Sequence, residues 1–395
     1  MDNGRIAGTP SLLRSLNDRT TAGLLFDHGT LSKAELGAAS GLSKPTAAQS
    51  LQRLTDLGLV TTGGSRTGGP GPAAQLFELD PTTGYAIAVD VANEIVRASI
   101  HGRDGSVLGN LTSIPGGRMA GEVLVEIFTT LTAEVPISPQ TTYSMAVGVS
   151  GAYDEVADLV RHGDHLSELV GGLEQPGLRE RISAAVPARV TIENDVKLVA
   201  LAESSTGAAA EAATSVLFWA EAGVGAAAVL GGHIHRGATG SAGELAYLPV
   251  AGGPHTSPRE PRGGFQVVAG GAALTELGRA CGLAGDPAGM IAAAAAAPGT
   301  HGEEFLTELA RRYATGISAL IAVLDPEVVV LSGSYAAAGG QVLADRVAGA
   351  VADQAMRPVP VVLGALTDRP VLTGAAHLAR SKLRQEVLER IGPVA

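Results

Sequence analysis

The stretch Leu31–Val60, LSKAELGAASGLSKPTAAQSLQRLTDLGLV, decides how the first part of this chain folds. Ser32 is followed three residues later by Glu35, the spacing of a capping box, and predicts a short helix that Gly41 ends by adopting positive φ. Ala34, Leu36 and Ala39 are expected to cover one face of it. Ser43 then caps a second helix with Pro45 in its first turn, where a missing N–H is tolerated. Ala47, Leu51, Leu54 and Gly58 recur at helical spacing and are expected to face a core. Lys44, Thr46, Gln49, Gln52 and Arg53 are left pointing outward, and each can reach a phosphate or a base edge. Two such helices joined by a tight turn read as a helix-turn-helix.

The flanks strengthen that reading against a plain helical hairpin with a solvated face. Upstream, Arg19–His28 (RTTAGLLFDH) supplies a third helix. Downstream, two strand-like runs, GLVTT and AAQLFEL, enclose a Gly/Pro-rich tip beside Arg66. A hairpin directly after a recognition helix is the wing of a winged helix, and Arg66 is placed to meet the DNA backbone.

Length and charge divide the chain in two. Its 395 residues are enough for two or three domains. Residues 1–80 hold seven Lys/Arg and seven Asp/Glu, whereas residues 81–395 hold 21 and 32 and so carry the whole net charge of −11. An acidic body repels DNA, which confines nucleic-acid contact to the neutral head. One cysteine, Cys281, excludes a disulfide framework and fits a reducing cytosol, or else a plain buried thiol. No apolar run approaches the roughly 20 residues that cross a membrane, and no charged-then-apolar leader is present. The expectation is a cytoplasmic protein without membrane contact.

From Gly84 the pattern changes. YAIAVDV, EIVRASIHG and SVLGNLTSI read as a three-strand meander, Met119–Ala133 as an amphipathic helix, SMAVGVSGAY and RVTIEND as buried strands, and Val196–Ser205 as a helix. The order then restarts: SVLFWAEAG and VGAAAVLGGHIHRG with a turn at Gly231-Gly232, helices, EVVVLSGS, a helix and VPVVLG. This predicts an α/β body of two duplicated lobes over residues 81–395, meeting near 196–214, with a ligand cleft between them. Gly223-Val224-Gly225-Ala226-Ala227-Ala228 fits a dinucleotide fingerprint, but strand rather than helix follows it, so no dinucleotide site is expected.

A winged helix ahead of duplicated lobes resembles the ROK family (repressors, open reading frames and sugar kinases), in its transcription-regulator branch. IENDVKLVALAE is similar to the family's sugar-site segment, GATGSAGELAYL to its second sugar loop, and LDPEVVVLSGS to its nucleotide-side strand, in the family's order. The resemblance implies an actin-like, ribonuclease-H-like fold and a dimer or tetramer. It makes Asp195 the counterpart of the kinases' general base. Asn194, Asp195 and Glu244 become sugar-hydroxyl acceptors, with Tyr247 and Gln266 at two further sugar-binding positions.

The departures from the family's kinases bear on activity. The first phosphate loop, Asp-x-Gly-Gly-Thr in the kinases, reads Asp90-Val91-Ala92-Asn93-Glu94, and the second reads Glu221-Ala222-Gly223-Val224-Gly225. Carboxylates thus stand where polyphosphate would sit. The family's zinc module needs cysteines that GGPHTSPREPRGGFQVVAGG lacks, and its histidine position is Tyr247. His233, His235 and His255 show no ligand spacing. These features imply no catalysis (Asp195 being a vestigial base), no metal and no cofactor. The expected protein is a sequence-specific regulator of carbohydrate genes, a repressor that binds an operator in double-stranded DNA and responds to a sugar or sugar derivative. Two alternatives remain: an active ATP-dependent sugar kinase with a DNA-binding head, and a DNA-binding scaffold without a ligand.

Overall fold

The protein is known from a computed structural model, which describes residues 10–67, 73–92, 94–161, 170–250, 264–297 and 299–392. The head begins with α1 (Pro10–His28), which starts well before Arg19. Strand β1 (Leu31–Ser32), α2 (Lys33–Ser40), α3 (Lys44–Asp56) and the hairpin β2 (Val60–Arg66) and β3 (Ala74–Leu79) follow. The capping box forms as expected: Ser32 N–H donates to Glu35 Oε2 at 2.8 Å and Glu35 N–H to Ser32 Oγ at 3.2 Å. Gly41 turns the chain at φ 68°, and Ser43 Oγ accepts from Thr46 N–H at 3.3 Å. Ala47, Leu51 and Leu54 are buried, but Gly58 is exposed beyond the end of α3. Of the trio expected on α2, only Leu36 is buried, while Ala34 and Ala39 face solvent. Ala34 and Leu36, two residues apart, lie on opposite sides of the helix, so the three could not share one face. The wing strands pair antiparallel; its tip, residues 68–72, lies outside the described residues.

The body repeats one plan twice. In the first lobe β4 (Gly84–Val91), β5 (Val96–His101) and β6 (Val107–Ser113) form the meander. Helix α4 (Ala120–Thr132) returns the chain to β7 (Thr142–Val149), parallel to β4. A small pair, β8 (Ala152–Asp154) and β9 (Leu159–Arg161), and α5 (Leu178–Ala185) precede β10 (Arg189–Asn194), parallel to β7. Helix α6 (Asp195–Thr206) crosses to the second lobe and its meander β11 (Thr214–Ala220), β12 (Val224–Leu230) and β13 (His233–Ile234). Then come α7 (Gln266–Ala269), α8 (Gly271–Ala280), α9 (Pro287–Ala296) and α10 (Thr300–Leu324). They lead to β14 (Val328–Ser332), α11 (Ser334–Gln354), β15 (Val361–Leu363) and the last helix, α12 (Pro370–Glu389). Among the described residues the two five-stranded sheets run β6-β5-β4-β7-β10 and β13-β12-β11-β14-β15, the same order with the same strand directions. Every residue of β4 is buried, which explains why GYAIAVDV reads as an apolar run instead of an alternation.

The lobes are joined by a shared helical layer. Ala86, Ala88 and Ala146 of the first sheet pack on Leu198 of α6 and on Leu372, Ala375 and Leu378 of α12. The other face of α6, Val199 and Ala200, packs on Leu217, Val229 and Val330 of the second sheet. Phe218, Phe265, Phe305 and Tyr313 fill the outer core of the second lobe.

The head does not hang free. Although the chain leaves it through a short turn at Pro81–Thr83, Leu25 and Phe26 of α1 belong to one buried cluster with Leu378, Leu383 and Val387 of α12. Arg384 holds Asp27 through two hydrogen bonds of 2.9 and 2.8 Å, and the Arg380 guanidinium lies 5.7 Å over the Phe26 ring. Arg103 of the body donates to Glu78 at 3.1 Å.

Candidate functional site

On the head, α3 sorts its polar residues into open and engaged. Lys44, Gln49 and Gln52 are exposed, with Gln52 Nε2 donating only to Asp56 of its own helix at 2.8 Å. Thr46 is half-buried and shares a 2.8 Å hydrogen bond with Ser43 Oγ. Arg53, expected to point outward, turns to α1 instead. Its Nε and Nη2 donate to Asp18 at 2.8 and 2.6 Å, and Ser50 Oγ donates to the same carboxylate at 2.6 Å. Ser50 and Arg53 are three residues apart and so share the flank of α3 that meets α1. Asp18 is only 6% exposed, so this pair braces the recognition helix. Arg66, at the end of β2, donates to Glu35 at 2.6 Å on the surface.

In the body, the first wall of the expected cleft is where β10 gives way to α6. Asn194 caps that helix: its Oδ1 accepts from Lys197 N–H at 3.1 Å, while its Nδ2 donates to the Gly151 carbonyl at 3.1 Å and to Asp195 Oδ1 at 3.0 Å. Its amide donors are thus engaged within the chain, and the residue fixes the shape of the wall. Asp195 Oδ1 also accepts from Val196 N–H at 2.8 Å. Burial pushes the Asp195 carboxyl up to about 7, with the charges of Asp90 and Glu221 adding to the effect. Asp90 is itself held above the usual carboxylate range by burial, opposed by Arg97 at 3.8 Å. Glu244 and Tyr247 begin and end a half-buried turn that follows the glycine-rich loop after β13.

The second wall is closed by its own side chains. Gln266, expected to meet sugar, clasps the second phosphate loop: Val224 N–H donates to its Oε1 at 3.0 Å and its Nε2 donates to the Ala222 carbonyl at 2.8 Å. An amide can join a donor and an acceptor of one loop, whereas the family's glutamate only accepts. Glu221 accepts from Ser334 N–H at 3.3 Å and so places a carboxylate at the start of α11. A helix start welcomes an anion, and here the chain supplies one. A carboxylate at this helix start opposes an incoming phosphate. Zinc does not fit: Tyr247 stands at the histidine position and the cysteine-free segment supplies no thiolate, although residues 251–263, including His255, lie outside the described residues.

Several structural residues escape the sequence patterns. Asp18 is one. Glu203, 1% exposed at the end of α6, accepts from Ala208, Ala365 and Leu366 N–H at 2.7, 3.2 and 2.9 Å and ties together three segments of the second lobe. Lys197, a lone cation in the apolar run of α6, is 2% exposed; its one visible signal is that interruption. A separate hollow of about 490 Å³ on the outside of the first lobe, between α4 and α5, is walled mainly by apolar side chains such as Met119, Val125 and Ile182. Among the described residues no helix is long and apolar enough to cross a membrane.

Comparison with known proteins adds three findings beyond a ROK family sequence model, which matches residues 86–382. The bifunctional enzyme NanE/NanK of Brucella suis biovar 1 (strain 1330) is 34% identical over 163 residues, 41% of this chain. The chain spans only 30% of that enzyme's length. The xylose repressor of Bacillus subtilis (strain 168) is 21% identical over 245 residues, 61% of this chain and 62% of the repressor. A crystal structure of a ROK family transcriptional regulator, homologous to the E. coli Mlc protein, superposes with a TM-score of 0.74 at 20% identity, over 96% of this chain and 99% of that one.

Proposed function

The chain belongs to the ROK family, and from that premise we propose that it is a DNA-binding transcriptional regulator, a repressor, released from its operator by an unphosphorylated sugar or sugar derivative. The observation that carries this reading is the asymmetry of the cleft. Its first wall keeps a recessed carboxylate at Asp195, while Gln266 and Glu221 fill the second. Asn194 and Val196 already donate to Asp195 Oδ1, and a sugar hydroxyl offers this carboxyl one further hydrogen bond. A phosphate dianion beside Asp90, Asp195 and Glu221 adds like charge instead, which favours a neutral ligand.

The head supports the same reading. Lys44 and Gln49 stay open on α3 for the major groove, while Arg66 lies at the end of a wing strand. Asp195 opens α6, α6 packs on α12, and α12 carries the Arg384–Asp27 pair and Arg380 beneath α1. Sugar that draws Asp195 inward therefore bears on the helix pair that seats the head. In a dimer this changes the spacing of two heads across their half-sites, and the two closure states differ in sugar affinity, which makes the switch.

The likeness to NanE/NanK and the retention of Asp195 favour a second reading, an active sugar kinase. Two measurements separate them: thermal shift with sugars, with and without MgATP, and a phosphorylation assay on the same sugars. The regulator is stabilised by sugar alone and forms no sugar phosphate. ATP-dependent turnover that Asp195→Asn abolishes establishes the kinase instead.

A further inference from the structure

The loop from Arg236 to Gly243 belongs to the second lobe, yet its middle rests on the first. Its ends are fixed to β12, where His235 N–H donates to the Ala228 carbonyl at 2.8 Å and Ala226 N–H to the Gly243 carbonyl at 2.9 Å. At its centre Gly240, with φ 80°, lies so close to β8 that a Cβ there would collide with the Tyr153 carbonyl. Two cations tie the loop down, one from α6 and one from the loop itself. Lys197 Nζ, from α6, donates to the Gly240 carbonyl. Arg236 Nε donates to Glu193 Oε2 at 2.5 Å, and Glu193, on β10, is 3% exposed.

We infer that Lys197 and Arg236 form a latch that fastens this loop across the two lobes, and that the latch holds Glu244 in position for the effector. The physical ground is that neither cation can release its partner cheaply. Lifting the loop strips a buried ammonium of its carbonyl acceptor and parts the Arg236 guanidinium from a buried carboxylate. Burial lowers the Lys197 ammonium below its ordinary value and Arg236 adds to that, while the charges of Glu193, Glu244 and Asp195 oppose it. Both residues are positioning residues that act through Glu244. The inference rests on the proposed effector site, and its test separates the two.

The test is amide hydrogen exchange on the full chain without ligand, for wild type, Lys197→Met, Lys197→Arg and Arg236→Gln. Ala242, Glu244 and Leu245 N–H donate within the loop or just past it and are the reporters. Lys197→Met is expected to speed their exchange at least about tenfold and Arg236→Gln at least about threefold, with α3 unchanged, while Lys197→Arg restores protection. Wild-type exchange in both Lys197→Met and Arg236→Gln overturns the latch, and the second variant decides if the first does not fold. Calorimetry with glucose, xylose and N-acetylglucosamine supplies the second arm. Glu244→Gln alone should weaken binding about tenfold, yet add less than about twofold in the Lys197→Met background; fully additive losses overturn the inference. If wild type binds none of a wide sugar panel, the effector reading fails, while the exchange arm still decides the latch.

Discussion

The two walls of the cleft are made of the same kinds of side chain and use them in opposite ways. On the second wall, Gln266 and Glu221 are satisfied by the backbone of Ala222, Val224 and Ser334. On the first, Asp195 is recessed near Asp90 and Glu221, which together with burial resist its ionisation. A polar group already paired inside the chain gains little from a ligand, whereas a desolvated carboxylate gains from any donor that enters. The contrast teaches where to look for function in this fold: at a carboxylate whose ionisation its surroundings oppose even though Asn194 and Val196 donate to one of its oxygens.

The head offers the sharpest way to break this contrast, because it too has engaged and open residues. Arg53→Ala leaves the buried Asp18 with only Ser50 and is expected to cost about 2–4 kcal/mol of stability in denaturant unfolding. Lys44→Ala should leave stability unchanged and weaken operator binding severalfold, with a shallower salt dependence. Stable Arg53→Ala protein that has lost only DNA binding would reverse the assignment. Next in size, Gln266→Ala frees Val224 N–H and the Ala222 carbonyl and should cost about 1 kcal/mol while sugar affinity stays within twofold of wild type. A tenfold loss of sugar affinity would return Gln266 to the sugar site.

A further effect is one of pH. Asp195 binds its proton more tightly folded than unfolded, near 7 against an ordinary value of 3.8, so stability falls as pH rises from about 4 to about 7. Burial holds His101 and His377 below their ordinary value, and they act in the opposite sense. The measurable quantity is therefore the difference from Asp195→Asn. Between about pH 5 and 8 the wild-type melting temperature should fall a few degrees further than the variant's. Identical profiles would mean that Asp195 is not strained.

Much of this architecture is legible in local sequence because local rules produce it. The capping box at Ser32 and Glu35, the Ala47/Leu51/Leu54 stripe and the repeated meander each depend on near neighbours or on a simple period. Pairings between distant segments are not legible that way. Arg53 meets Asp18 across 35 positions, Arg384 meets Asp27 across 357, and Lys197 meets Gly240 across 43. Gln266 shows the same limit within the candidate site. Its place in the family pattern marks it as a sugar contact, but its partners come from a loop 42 and 44 residues away.

The central claim is that sugar entering the first wall releases the head from DNA, and one measurement tests it most directly. Duplexes selected by the wild-type protein from a random library serve as operator, and fluorescence anisotropy follows release as sugars are titrated. Wild type should release its duplex with at least one unphosphorylated sugar. Asp195→Ala and Glu244→Ala should bind the same duplex with wild-type affinity yet need more than about tenfold higher sugar for release, as expected when a charged acceptor of a buried hydroxyl is lost. Release of both variants at wild-type sugar concentrations would contradict the account and place the sensor outside the cleft.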